Sequence, residues 1–211
     1  MKNTIAPLLI LLIFLSISCT KNKTTKNIQY YTIDFPISPI NSLDNNPPLT
    51  NATYSILTVQ MDSAFDTKQI VLKDLDKNLI YFSDHLWREA PAKLVDSLLS
   101  LYIKNQNIFR NKTSLKEKSK ADYLISSHIY QLLIAKTIDD LEALLYFKME
   151  LIENKTDKVE VSSTLYSREI LVRKDLHLFS ELISQMFKRE FDSFSVRVIS
   201  YFQKQATKES S

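Results

Sequence analysis

The fold class this chain predicts is α/β in the α+β sense, a mixed, largely antiparallel sheet covered on one face by two amphipathic helices. Three features of its 211 residues carry that expectation. Apolar and polar residues alternate over several segments, which is strand periodicity. Two other segments repeat their apolar residues at helical spacing. The order runs strands, helix, strands, helix, and one sheet beneath both helices buries every apolar stripe together.

The first segment is not part of that body. Lys2 is a short basic start, and Ile5 to Ile17 is a nearly unbroken apolar run. A membrane-spanning helix needs about 20 apolar residues, so residues 1–18 suit a cleavable secretory signal instead. Cys19 follows at once, the single cysteine of the chain, with Ser16 and Ser18 around Ile17. This arrangement resembles the lipobox of bacterial lipoproteins, with Ser16 where Leu is usual and Leu15 one residue further back. The resemblance implies lipid attachment at Cys19; the plainer alternative is a secreted protein with an incidental thiol. Residues 19–29 read as a tether. Its ten residues Thr20–Gln29 (TKNKTTKNIQ) reach at most about 35 Å. Lys21, Lys23 and Lys26 could lie against anionic head groups or simply be solvated.

Residues 30–203 read as one domain. Tyr30–Phe35 alternates as a short strand, and the proline-bearing stretch Pro36–Thr53 reads as irregular. Tyr54–Gln60 reads as a strand with Ile56 and Thr58 on one face and Leu57 and Val59 on the other. Gln69–Lys73 and Leu79–Ser83 are two more strands about the turn Asp76-Lys77-Asn78. From Leu86 to Lys104 the period becomes helical, with Trp87, Ala90, Leu94, Leu98 and Leu101 in the stripe. Pro91 belongs in a first turn, which places the start near Arg88 with Asp84 as cap. Asn107–Arg110 is a brief strand and Asp122–Ala135 a long one. In Leu141–Glu153, Leu145, Phe147, Met149 and Leu151 alternate with Tyr146, Lys148 and Glu150, a strand with one wet face. Val159–Tyr166 completes a hairpin, with Val159, Val161 and Leu165 on its apolar side. Asp175 opens a helix to about Phe202, with Phe179, Phe187, Phe191, Phe194 and Val198 in its stripe, and residues 204–211 read as a frayed tail.

Composition excludes several functions. The chain has no glycine, so a P-loop, a dinucleotide fingerprint and a GxSxG elbow are all impossible. Left-handed turns fall to Asn and Asp, with Asn45-Asn46, Asp76-Lys77-Asn78, Asn111-Lys112 and Asn154-Lys155 as candidates. Removing Lys2 from the 27 basic residues leaves 26 against 24 acidic ones, a near-neutral body unlike a dedicated nucleic-acid binder. One cysteine allows no internal disulfide, and stability must come from packing.

The segment Asp66-Thr67-Lys68-Gln69-Ile70-Val71, then Leu79-Ile80-Tyr81, then Trp87-Arg88-Glu89-Ala90 before an apolar helix resembles the ABC-type transport auxiliary lipoprotein family. Tyr30-Tyr31-Thr32, the strand pair and the long last helix follow in the family's order. Phe65-Asp66-Thr67 and Leu86-Trp87-Arg88 stand where that family has Leu-Asp-Arg and Arg-Trp-Ala, so both motif arginines are replaced or displaced. The resemblance implies a lipid-anchored outer-membrane protein facing the periplasm, partner to an MCE-domain protein of a lipid-transport complex. It leaves a homo-oligomer open by analogy. Thr20 differs from the Asp that signals inner-membrane retention in that setting.

Candidate chemistry is sparse. His85, His128 and His177 form no HxH or HxxxH pair, so no metal site, catalytic residue or cofactor is expected. Trp87 lies on the helical stripe, either as core or as a contact residue. Lys104, Arg110, Lys112, Lys116, Lys118 and Lys120 surround Glu117 alone. That run reads as a solvated loop or as a surface for phosphorylated head groups or an acidic partner, with Lys112, Lys116, Lys118 and Lys120 as contacts. The expected role is tethering and docking without catalysis. The rivals are another envelope assembly lipoprotein, of the lipopolysaccharide-translocon partner type, and a periplasmic hydrolase.

Overall fold

The structure is a computed structural model that describes residues 27–38, 47–172 and 175–209. The signal segment, Cys19, most of the tether and Asn45-Asn46 lie outside the described residues. The strands are β1 (Gln29–Tyr31), β2 (Thr50–Ile56), β3 (Gln60–Met61), β4 (Gln69–Lys73), β5 (Leu79–Trp87), β6 (Phe109–Lys112), β7 (Tyr123–Lys136), β8 (Leu141–Glu153) and β9 (Lys158–Ile170). Helix α1 (Pro91–Asn105) follows β5, a 3₁₀ segment (Leu115–Lys120) follows β6, and α2 (Leu176–Glu209) closes the chain.

Every strand belongs to one mixed sheet. Strand β7 pairs antiparallel with β8 from Tyr123↔Glu153 to Lys136↔Leu141, and β9 lies antiparallel beyond β8. The opposite edge of β7 takes three short parallel partners in turn: β2 at Tyr123–Ile125, β3 at His128–Ile129 and β4 at Ile134–Ala135. The sheet then branches. One arm runs through β4 to β5 and β1, the other through β2 to β6. The long ladders are antiparallel and the short ones parallel.

Both helices share a single core against one face. Phe179, Phe187, Phe191 and Phe194 of α2 and Leu99 and Val95 of α1 are fully buried with Ile125, Ile129, Leu145 and Phe147 of the sheet. Phe187 packs edge-on against Phe147 with ring centroids 5.0 Å apart. Tyr102 Oη on α1 donates to Asp192 Oδ1 on α2 at 2.6 Å, and burial followed by Asp192 pushes that phenol's pKa up. In β8, Leu145, Phe147, Met149 and Leu151 face the helices while Tyr146, Lys148 and Glu150 face away, as the alternation predicts. A bulge between Ile129 and Gln131 shifts the alternation of β7. Past it Leu132 and Ile134 face the helices, while Leu133 and Ala135 join a second, small core with Phe65, Val71 and Leu144.

Several boundaries differ from expectation. Trp87 ends β5 instead of starting the helix: its N–H donates to Lys68 O at 2.6 Å, and the Arg88 N–H to Tyr31 O at 2.7 Å. These bonds hold the chain extended until Pro91, which is the first residue of α1. Asp84 is therefore a strand residue, and Ala90 is the cap. Residues 57–59 interrupt the strand read over Tyr54–Gln60, and β1 stops at Tyr31, although Ile33 and Phe35 keep its alternation and enter the core. A second bulge at Glu160, between Leu151 and Ile152 of β8, turns Val159 outward to 44% exposure. Helix α2 continues through Glu209, about 51 Å at 1.5 Å per residue.

Among the described residues the positive φ angles fall at Lys77 (68°), Asn107 (51°) and Asp157 (56°). In the first turn Asp74 Oδ1 accepts the Asn78 N–H at 2.8 Å and its Oδ2 accepts from Asn78 Nδ2 at 3.1 Å. Asp74 thus closes the turn, and the left-handed conformation is left to the lysine between. Asn111-Lys112 lies in β6 and is no turn.

Glu190, 4% exposed, faces β9 from α2. Burial raises its carboxyl pKa above the ordinary value; a hydrogen bond with Ser163 and the charge of Arg197 oppose this, and one oxygen has no partner among the described residues.

Trp87→Ala and Phe191→Ala should each cost about 3–5 kcal/mol, read from urea midpoints; an unchanged midpoint for Trp87→Ala would contradict its place in the core. For Glu190 the folded state holds the extra proton between the ordinary and the raised pKa, so its contribution to stability falls as pH rises through that window. Glu190→Gln should be more stable than the parent at neutral pH, and the gap should shrink on acidification. A gap independent of pH would refute this.

Candidate functional site

The basic run is an edge of the sheet. Strand β6 pairs with β2 and with no other strand among the described residues. The left-handed Asn107 reverses the chain after α1, Phe109 turns into the core, and Arg110 and Lys112 stay exposed. The 3₁₀ segment continues from there and exposes Lys116, Lys118 and Lys120. Its end is fastened to the body: Asn154 Nδ2 donates to Lys118 O at 2.9 Å and to Ala121 O at 2.7 Å. Asp122 Oδ2 accepts from Thr53 N and Oγ1 at 2.7 and 2.8 Å.

The cations differ in what holds them. Lys120 Nζ meets Glu117 Oε1 at 2.6 Å, an exposed pair worth little. Lys112 Nζ donates to Ser100 Oγ on α1 at 2.9 Å, a neutral partner. Lys104, Arg110, Lys116 and Lys118 make no ion pair among the described residues. Two depressions flank the run. One, of about 510 Å³, lies between α1 and β6 and has Lys104, Arg110 and Lys112 in its lining with no carboxylate. The other, of about 660 Å³, mixes Lys120 and Lys155 with Asp122 and Glu153. Tyr54 lies in the wall of the first. Its ring is tilted against Phe109 at 4.8 Å, and burial pushes its phenol up to about 12.

The structure brings Lys112, Lys116, Lys118 and Lys120 to one edge and leaves Trp87 far from chemistry. Trp87 is 1% exposed with its ring 5.8 Å from Phe179, so it is core and not a contact surface. Cys19 lies outside the described residues. Two histidines assigned to separate elements meet at Tyr31. Tyr31 Oη donates to Gln29 Oε1 at 2.7 Å and lies 2.9 Å from His85 Nδ1, and the His177 ring is 5.1 Å away. Burial, then Asp175 and Asp84, push the Tyr31 phenol up.

His128 faces the helix-free side, with Nε2 2.7 Å from Asp62 Oδ1 and its ring stacked on Tyr130 at 4.2 Å. Tyr130 stacks on Tyr146 at 4.6 Å, and Tyr146 meets Tyr166 edge-on at 5.8 Å. Ser127, next to His128 in β7, is buried and points to the opposite face, so its hydroxyl does not meet that imidazole. Among the described residues no group of three His, Cys, Asp or Glu side chains is placed to hold a metal. None of their helices is long and apolar enough to cross a membrane.

No family profile and no curated protein matches the chain. Solved structures do match in fold. Protein XCC0632 from Xanthomonas campestris, of the DUF330 family, superposes with a TM-score of 0.70 at 9% identity over 85% of this chain and 99% of that one. An uncharacterised protein gives a TM-score of 0.61 at 9% identity over 82% of this chain and 99% of its own. The hypothetical protein CT253 from Chlamydia trachomatis gives 0.51 at 9% identity over 72% and 98%. The chain therefore has a DUF330-type fold.

Proposed function

We propose that this DUF330-type body belongs to an outer-membrane lipoprotein, an auxiliary component of an MCE/ABC-type envelope lipid-transport system that tethers and docks without catalysis. Cys19 carries the reading. It follows the apolar segment directly, and a polar tether separates it from the first described strand at Gln29. Lys21, Lys23 and Lys26 add attraction to anionic lipid beside the acyl anchor. The order of the strand, Trp-bearing and helix segments supports the family reading, and the shared fold supports the architecture that reading implies.

Docking has a candidate surface in β9. This 13-residue strand pairs with β8 alone among the described residues, and Tyr166 and Ile170 on it are 59% and 56% exposed. An extended segment of an MCE-type subunit can add to such an edge through main-chain hydrogen bonds.

Metabolic labelling with a clickable fatty acid should mark the wild-type chain and not Cys19→Ser, and capture from solubilised envelopes should recover MCE-domain subunits. An unlabelled chain that washes off in mild salt would overturn the anchoring. Recovery of a lipopolysaccharide-translocon barrel without MCE subunits would overturn the assignment to lipid transport.

A further inference from the structure

We propose that the cleft between α1 and β6 binds the phosphate of an anionic phospholipid headgroup. The cleft, of about 510 Å³, gathers three cations and no carboxylate. Lys104 comes from the last turn of α1, Arg110 and Lys112 from the exposed side of β6. Lys104 and Arg110 have no ion-pair partner among the described residues, and Lys112 spans the cleft to a serine hydroxyl. Three positive charges held together repel one another, and an anion between them relieves that repulsion. Arginine offers a phosphate a planar fork of donors and lysine a movable one.

A second observation points the same way. Tyr54 is 3% exposed, yet its phenol has no hydrogen-bond partner among the described residues and it lines this cleft. Its hydroxyl is not among the fully buried unpaired groups, so a ligand in the cleft can reach it. It stays protonated through the physiological range, since burial pushes it up to about 12, and it can therefore donate to a phosphate oxygen. Ser97 and Ser100 add hydroxyl donors from α1.

The apolar part of the lining distinguishes a lipid from free phosphate. Leu101 stands in the cleft wall at 52% exposure beside the cations. Such a side chain has nothing to offer inorganic phosphate and gives the glycerol and first acyl carbons of a lipid an apolar contact. The assignment is independent of the docking reading, because it needs no MCE partner and no acylation of Cys19.

The test uses the full chain in nonionic detergent, titrated calorimetrically with dihexanoyl phosphatidylglycerol and, separately, with inorganic phosphate. Saturable binding of the phospholipid is expected. It should weaken by at least about tenfold in Lys104→Gln/Arg110→Gln/Lys112→Gln and severalfold in Tyr54→Phe, and stay as in the parent in Lys116→Gln/Lys118→Gln. All three cleft cations are exposed, so the triple variant should keep the parent's thermal unfolding and report binding alone. Absence of saturable binding, or a triple variant that binds as the parent does, overturns the site. An equal loss in the Lys116/Lys118 variant shows diffuse charge attraction and overturns it too. Inorganic phosphate bound as tightly as the phospholipid overturns the lipid assignment and leaves a site for free phosphate.

Discussion

The molecule depends on covering one face of a branched sheet with the aromatic stripe of its last helix. Phe179, Phe187, Phe191 and Phe194 are fully buried, and the first three reach several parts of what precedes them. Phe179 meets Trp87 at the end of β5, Phe187 meets Phe147 on β8, and Phe191 meets both Phe35 and Tyr102. One helix thereby joins the N-terminal chain, the β5 arm, β8 and α1, and its Phe202 meets Phe109 of the β6 arm with ring centroids 5.5 Å apart. With one cysteine and no glycine, the chain has neither an internal disulfide nor glycine turns to constrain it, and this packing is its main source of order.

The helix-free face meets a different requirement. A sheet wet on one side must be polar there or patched, and this one does both. Lys148 pairs with Glu150 and Arg168 with Glu142 across its surface. The small core of Phe65, Val71, Leu133, Ala135 and Leu144 covers the end of the sheet where β7 and β8 are too apolar to be left open. Between the two regions lies the aromatic column from His128 to Tyr166, whose cross-strand stacking ties β7, β8 and β9 together.

Local pattern was sufficient where a segment answers to one periodicity. β4 and β8 begin and end where their alternation says they should, and the α2 stripe is buried as its spacing requires. It failed where partners are remote. Trp87 suits a helical stripe and a strand end equally; the choice is made by Lys68 and Tyr31, which bond its neighbourhood from elsewhere in the chain. Val159 and Tyr130 sit beside or in bulges, which shift a face by one residue and leave no mark in composition. The charge of the basic edge was legible as a run of lysines, but its cleft was not. Tyr54, Ser97 and Ser100 belong to other elements, and only the fold brings them to Arg110 and Lys112. The meeting of His85 and His177 at Tyr31 was hidden for the same reason.

The branching at β7 sets the order in which this chain can become itself. A polypeptide emerges N-terminus first, and β2 and β3 find their β7 partners only when residues 123–136 arrive. Before then the β4–β5 hairpin is the one ladder among the described strands that can close locally. Parallel pairings between distant segments form late and leave edges open to wrong partners while they wait. The first half of this protein is therefore born unfinished, and it completes its sheet only when its middle strand appears.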